Sequence, residues 1–465
     1  MLEAKNFIAE KHEEVSAMRT KIITRKNKRE TTESLNFCVE LLKIIEHFFP
    51  DLIGLLKLKK DPRHQSYVTY KSQVILFVRI LGTILHIESM RKITEILNKT
   101  ICFKNISRIL KLKEELTELP HWDTINNYLK KLSPAVLEEI IAKLVHRLTR
   151  MRSFEDSRIR NKYWHVIVDG THLYTFDERH CEHCLTRDFK NDEGKVVRTE
   201  YYHVALEAKL VISHNIVISI GTEFVENESP VVSKQDCELK AFYRLAEKLK
   251  SRFPRLPICL GLDSLYAAGP VFDLCKKNGW HYIIRFKDGS IPSVAKEFQV
   301  LKEMEPEQAW EQTIEGVTKT YCYVTQIPYQ AHELNMVEYQ QSDLNHPFVF
   351  VTDLSITKRN AEQLVITGRR RWKIENEGFN EQKNHGMGLE HMFSKNYNAM
   401  KNHYFLIQIG HMIAQFLEIG LVKLKALGKM SVSTLFELIK EAFRTVLLVV
   451  ADFEMVRQLK QYRLC

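Results

Sequence analysis

Tyr163-Trp-His-Val-Ile-Val-Asp-Gly-Thr-His172 is an apolar run that ends on Asp169 with Gly170 behind it. Short apolar runs bounded by Gly or Pro predict buried strands. Pro257-Ile-Cys-Leu-Gly-Leu-Asp-Ser-Leu265 repeats the pattern and ends on Asp263. A carboxylate at the C-terminal edge of such a strand lies where open α/β sheets place their ligands. Either aspartate alone is more simply a turn or helix-cap residue. Two of them at matching strand ends predict an α/β fold organised around a site.

A third acid comes from Gly368-Arg-Arg-Arg-Trp-Lys-Ile-Glu-Asn-Glu-Gly-Phe-Asn-Glu-Gln-Lys383. On a helix, Arg371 and Glu375 share one face. Glu377 competes with Glu375 but lies about 200° of rotation away, so only one of them can face a common site. A carboxylate among so many cations suits a metal site beside a phosphate backbone. The plainer alternative is a solvated helix with ordinary ion pairs.

In the order strand, strand, helix, Asp169, Asp263 and Glu375 resemble the DDE triad of cut-and-paste transposases from bacterial insertion sequences. Arg371-Trp-Lys-Ile-Glu375 resembles that group's Tyr–Arg–Glu–Lys signature. Lys234-Gln-Asp-Cys-Glu-Leu-Lys-Ala, Arg285-Phe-Lys-Asp-Gly and Gly388-Leu-Glu-His391 support the likeness, which runs from about Tyr163 to about Leu417. Two positions depart from it: Gly368 stands in place of the Tyr, and Gln382 in place of the Lys, with Lys383 next to it. The resemblance implies an α/β fold: a ribonuclease-H-like catalytic core with a β-rich insertion, preceded by an all-α N-terminal DNA-binding domain. It implies two Mg2+ or Mn2+ ions on Asp169, Asp263 and Glu375, with Asp169 bridging, and DNA contacts from Arg370, Arg371, Lys373 and Lys383. Trp310 is either a stacking platform for a flipped base or a core residue. The implied partner is double-stranded DNA, the terminal inverted repeats and the target, bound by a homodimer at the bacterial nucleoid. The implied reaction is nicking, hairpin formation and strand transfer.

The chain divides into a basic arm (1–30), helices (31–155), the core (156–290 and 369–420), the insertion (291–368) and a C-terminal helical region (421–465). Lys21-Ile-Ile-Thr-Arg-Lys-Asn-Lys-Arg29 gives the arm its charge. Asp123 is placed to cap one helix and Ser133-Pro134 to open the next, as in a helix-turn-helix-like bundle. In the insertion, Lys319-Thr-Tyr-Cys-Tyr-Val-Thr-Gln-Ile and Phe348-Val-Phe-Val-Thr352 read as strands.

With 465 residues the chain can bury a large core, and 68 basic against 58 acidic residues give a net charge of +10, which fits a nucleic-acid partner. Met1-Leu-Glu-Ala-Lys starts a charged stretch unlike a secretory leader, and Val446-Leu-Leu-Val-Val-Ala451 is too short to span a bilayer; a cytoplasmic protein is expected. Nine cysteines without a framework spacing fit reduced thiols. In His180-Cys-Glu-His-Cys184, Cys181 and Cys184 offer two ligands to a structural Zn2+, with His183, His203, Cys237 or Cys259 open as partners. A polar hairpin with incidental cysteines is the alternative. Two further functional readings stand beside the transposase: a ribonuclease-H-like nuclease without strand transfer, and a catalytically silent DNA-binding descendant.

Overall fold

The computed structural model describes residues 36–58, 60–64, 66, 68–212, 216–227, 234–423 and 430–459; the basic segment Lys21–Arg29 lies outside them. The described chain begins with seven helices: α1 (Phe37–Phe48), α2 (Leu52–Leu56), α3 (Ser72–Ile84), α4 (Met90–Leu97), α5 (Thr100–Ile109), α6 (Trp122–Lys131) and α7 (Pro134–Arg150). Asn36 starts α1 by accepting from the Cys38 and Val39 amides, and Pro134 opens α7 where no amide proton is needed. Asp123 does not cap α6. His121 takes that position, its ring accepting from the Asp123 amide at 3.3 Å, and Asp123 sits in the first turn, where the helix dipole favours it.

The strands form one ten-stranded sheet. β1 (Trp164–Phe176) lies between β3 (Val196–Val211), which is antiparallel to it, and β5 (Ile258–Leu262), which is parallel. The far edge of β3 is shared by β2 (Leu185–Lys190) along its first half and β4 (Val217–Val225) along its second. β6 (His281–Phe286) is parallel to β5. The helices α8 (Glu238–Arg252), α9 (Gly269–Asn278) and α10 (Pro292–Met304) follow β4, β5 and β6. β7 (Ala309–Ile314), β8 (Val317–Tyr329), β9 (His332–Gln341) and β10 (Phe348–Thr352) then extend the same sheet, because β10 returns antiparallel beside β6. The buried cores of β1, β5 and β6 explain their near-continuous apolar sequences.

After α11 (Ala361–Arg369) the helix tightens into a 3₁₀ turn at Arg370–Trp372 and widens into a π-helix at Ile374–Asn380, before α12 (Glu381–Asn384). α13 (Tyr397–Lys423) then runs through the centre of the molecule, packing on α1, α3, α6, α7 and β4. Its stretch Tyr397–Leu421 contains an 18-residue window of mean hydropathy 1.3 that is 89% buried, so by length and composition one helix could cross a membrane, which corrects the expectation drawn from short apolar runs such as Val446–Ala451. Polar residues interrupt that stretch, which is why no unbroken apolar run is visible in the sequence, and several of them satisfy buried backbone or side-chain groups. Asn398 and Asn402 donate to the Leu132 carbonyl at the end of α6, each at 2.7 Å. Gln415 accepts from the Val217 amide and donates to its carbonyl, closing the open edge of β4. α14 (Val432–Thr445) and α15 (Val450–Gln458) pack back on α1.

Candidate active site

β1 and β5 pair in register with Ile167 beside Gly261. Continuing that register places Asp169 abreast of Asp263, on strands about 4.8 Å apart. Asp169 is not at a strand end, as the sequence suggests, since β1 continues to Phe176 on β3; it is β5 that stops, at Leu262. Asp263 turns the chain there, its carboxylate accepting from the Leu265 amide at 2.9 Å. Asp169 accepts from the Gly170 amide at 3.0 Å and from Arg371 Nη1 at 2.8 Å. Burial pushes the Asp169 carboxyl up, against the pull of Arg371, and the charge of Asp263 adds to the rise.

A further carboxylate, not selected from the sequence, joins them. Glu238, in the first turn of α8, accepts from the Tyr266 hydroxyl at 2.7 Å. A Cβ added at Gly170 would lie 2.9 Å from Glu238 Oε2, so the glycine lets this acid reach the strand. Burial pushes the Glu238 carboxyl up, and both Asp169 and Asp263 raise it further. Three acids crowded this way repel one another until a cation offsets them, and hard oxygen donors suit Mg2+ or Mn2+. The signal was present in Lys234-Gln-Asp-Cys-Glu-Leu-Lys-Ala, but an acid in a first helical turn is common for dipole reasons alone.

Glu375 is placed differently. Arg371 reaches Asp169, but Glu375 is exposed and, among the described residues, makes no hydrogen bond or ion pair. The change from 3₁₀ to π winding between the two removes the α-helical register on which their common face rests. Glu377 is half-buried and pairs with Lys373 at 2.9 Å. Arg370 is half-buried close to His165. Lys383 pairs with Glu390 at 3.0 Å and lies near enough to His172 of β1 to lower the pKa of that ring, after burial and Arg187. Trp310 is remote, half-buried on the edge strand β7 and stacked on Tyr321 at 5.1 Å. Cys181 and Cys184 lie in the β1–β2 connection with sulfurs 3.4 Å apart.

Both departures from the signature have packing causes. A Cβ at Gly368 would meet the Phe350 ring at 2.6 Å, so a tyrosine there would require that ring to shift. Gln382 is fully buried and exchanges hydrogen bonds with Gln408 at 2.9 and 3.1 Å while contacting His411, so a lysine head at this position would be buried.

Residues 160–413 match the transposase DDE domain family, and the chain belongs to that family. No curated protein matches it. Among solved structures it is similar to the piggyBac transposase synaptic complex with hairpin DNA, at 12% identity and a TM-score of 0.40, covering 91% of this chain and 83% of that one. At that score the likeness carries no argument about this chain.

Proposed function

We propose that this protein is a DNA transposase that cleaves the ends of a mobile element and joins them to target DNA by metal-dependent hydrolysis and transesterification. The observation that carries the reading is Asp169 abreast of Asp263, with Glu238 and Arg371 against them, inside a segment that belongs to a transposase DDE family. The order β4-β3-β1-β5-β6, three antiparallel strands followed by parallel ones, supports a ribonuclease-H-like core with β7–β10 as its insertion.

Asp169 and Asp263 would hold divalent ions, which lower the pKa of a bound water and offset charge on the phosphoryl group. Asp169 is central, lying next to Asp263 and bonded to Arg371. Glu238 is the third ligand favoured by position and Glu375 the one favoured by the family likeness. Arg371 presents a guanidinium at the edge of the acids, suited to grip a phosphate in two-point fashion, with Arg370, Lys373 and Lys383 extending the cationic surface along the backbone. A homodimer on paired ends, acting on chromosomal DNA in the cytoplasm, completes the reading.

The test is a purified-protein assay on duplexes carrying the element's own ends, with Mg2+. The wild type should nick the ends and transfer pre-cut ends to a plasmid, and Asp169→Asn or Asp263→Asn should lower both by about 10³-fold or more. Unchanged cleavage in both variants would overturn the site. Glu238→Gln and Glu375→Gln, measured side by side, assign the third ligand to whichever causes the comparable loss.

A further inference from the structure

We propose that His180, Cys181, Cys184 and His203 form a tetrahedral zinc site that pins the β1–β2 connection to β3. It stands whether or not the chain transposes DNA. The ligand atoms of these four residues all lie within 4.8 Å of one another. Cys181 Sγ is 3.4 Å from Cys184 Sγ and 3.4 Å from His203 Nε2. Cys184 Sγ is 3.7 Å from His203 Nε2 and 3.5 Å from His180 Nδ1, and the two histidine Nε2 atoms are 3.3 Å apart. A tetrahedral zinc with bonds of about 2.3 Å to sulfur and 2.0–2.1 Å to nitrogen sets its donors about 3.3–3.8 Å apart. Cys181, Cys184 and His203 already stand at such separations, and His180, which turns Nδ1 towards Cys184 and Nε2 towards His203, offers one of the two as the fourth donor.

The chemistry selects the ion. Two thiolates and two imidazoles suit a borderline-soft tetrahedral cation and exclude Mg2+, which takes oxygen donors in octahedral geometry. Four protein ligands leave no open position, so the site is structural. The sequence leaves His183, His203, Cys237 and Cys259 as candidate partners, and the fold chooses among them. His183 turns its Nδ1 to the Asn227 carbonyl at 2.9 Å, Cys259 is buried within β5, and Cys237 is exposed before α8. His203 is buried on β3, and His180 completes the set.

The local sequence needs such an anchor. Asp177-Glu-Arg-His-Cys-Glu-His-Cys184 offers no Leu, Ile, Val, Met, Phe, Tyr or Trp side chain, and Cys184 is its one buried residue. Metal ligation can hold a polar loop that burial cannot. His203 lies opposite Tyr174, and its strand carries Glu207 opposite Asp169. Four residues along a strand is about 13 Å, so the ion would brace the hairpin that presents Asp169 without entering the chemistry. Tyr397, at the start of α13, packs its ring on both His183 and His203 and so carries the brace into the central helix.

The test uses the full chain, purified without chelators from zinc-supplemented medium, with metal content measured by elemental analysis. About one zinc per chain is expected, and the cobalt-substituted protein should show the intense visible bands and sulfur charge transfer of a tetrahedral thiolate site. Cys181→Ser and His180→Ala, at half-buried positions that tolerate substitution, should each cut zinc content by about tenfold or more after dialysis, while His183→Ala retains it. Absence of zinc from the wild type, unchanged zinc in Cys181→Ser, loss in His183→Ala, or a Cys181–Cys184 disulfide in fresh protein would each overturn the assignment.

Discussion

Arg371 and Asp169 are joined at 2.8 Å where a metal ion would otherwise offset the acids. Removing that guanidinium leaves the carboxylates facing one another with less compensation. Arg371→Ala is therefore expected to bind Mn2+ about 3–10-fold more tightly without DNA, yet to cleave at least about tenfold more slowly for want of a phosphate partner. Calorimetric titration and the end-cleavage assay check the two halves, and equal or weaker Mn2+ binding counts against a competing role for Arg371. Gly368 gives a prediction about packing. Gly368→Ala drives a methyl to 2.6 Å from the Phe350 ring, and should cost about 1–3 kcal/mol by denaturant unfolding. Tyrosine at this position, which would restore the family signature, should destabilise the fold further.

At the level of elements, legibility followed the period of the pattern. β1 and β5 were readable from short apolar runs leading to an aspartate, although β1 continues past Asp169 to Phe176, and α7 because Ser133-Pro134 announces its start. The segment after Arg369 was not readable in the same way, because nothing in Arg-Arg-Trp-Lys-Ile-Glu marks a passage from 3₁₀ to π winding, and α-helical spacing set the wrong expectation for Glu375. Glu238 was missed for a different reason: its role depends on α8 docking its first turn against Gly170, a contact between distant parts of the chain. The length of α13 was hidden by polar residues whose partners lie on other elements. α13 also carries a pH prediction. Burial, helped by the charge of Glu381, pushes the Glu418 carboxyl from 4.5 up to about 7. Between those values the folded chain holds a proton that the unfolded chain releases, so this group's contribution to stability falls as pH rises and levels off above about 7. Glu418→Gln should accordingly raise the Tm more at pH 8 than at pH 5, and a uniform shift at both pH values would contradict the assignment.

For the whole molecule, the sheet is the frame: β1 and β5 fix the two aspartates, α8 brings Glu238, and the segment after α11 brings Arg371 from the far side of the insertion. A chain of net charge +10 with cations around such a site should bind DNA by releasing counterions. Affinity for end-containing duplex is expected to fall by about 10-fold or more between 50 and 200 mM salt, read by fluorescence anisotropy. A flat dependence would argue against a phosphate-backbone substrate. The central claim is that Asp169 and Asp263 hold the divalent ion, and Mn2+ binding to the full chain, followed by electron paramagnetic resonance, tests it most directly. Wild type should bind Mn2+ in competition with Mg2+, and Asp169→Asn and Asp263→Asn should each weaken that binding by about tenfold or more while leaving the unfolding transition intact. Mn2+ binding unchanged in both variants would contradict the account.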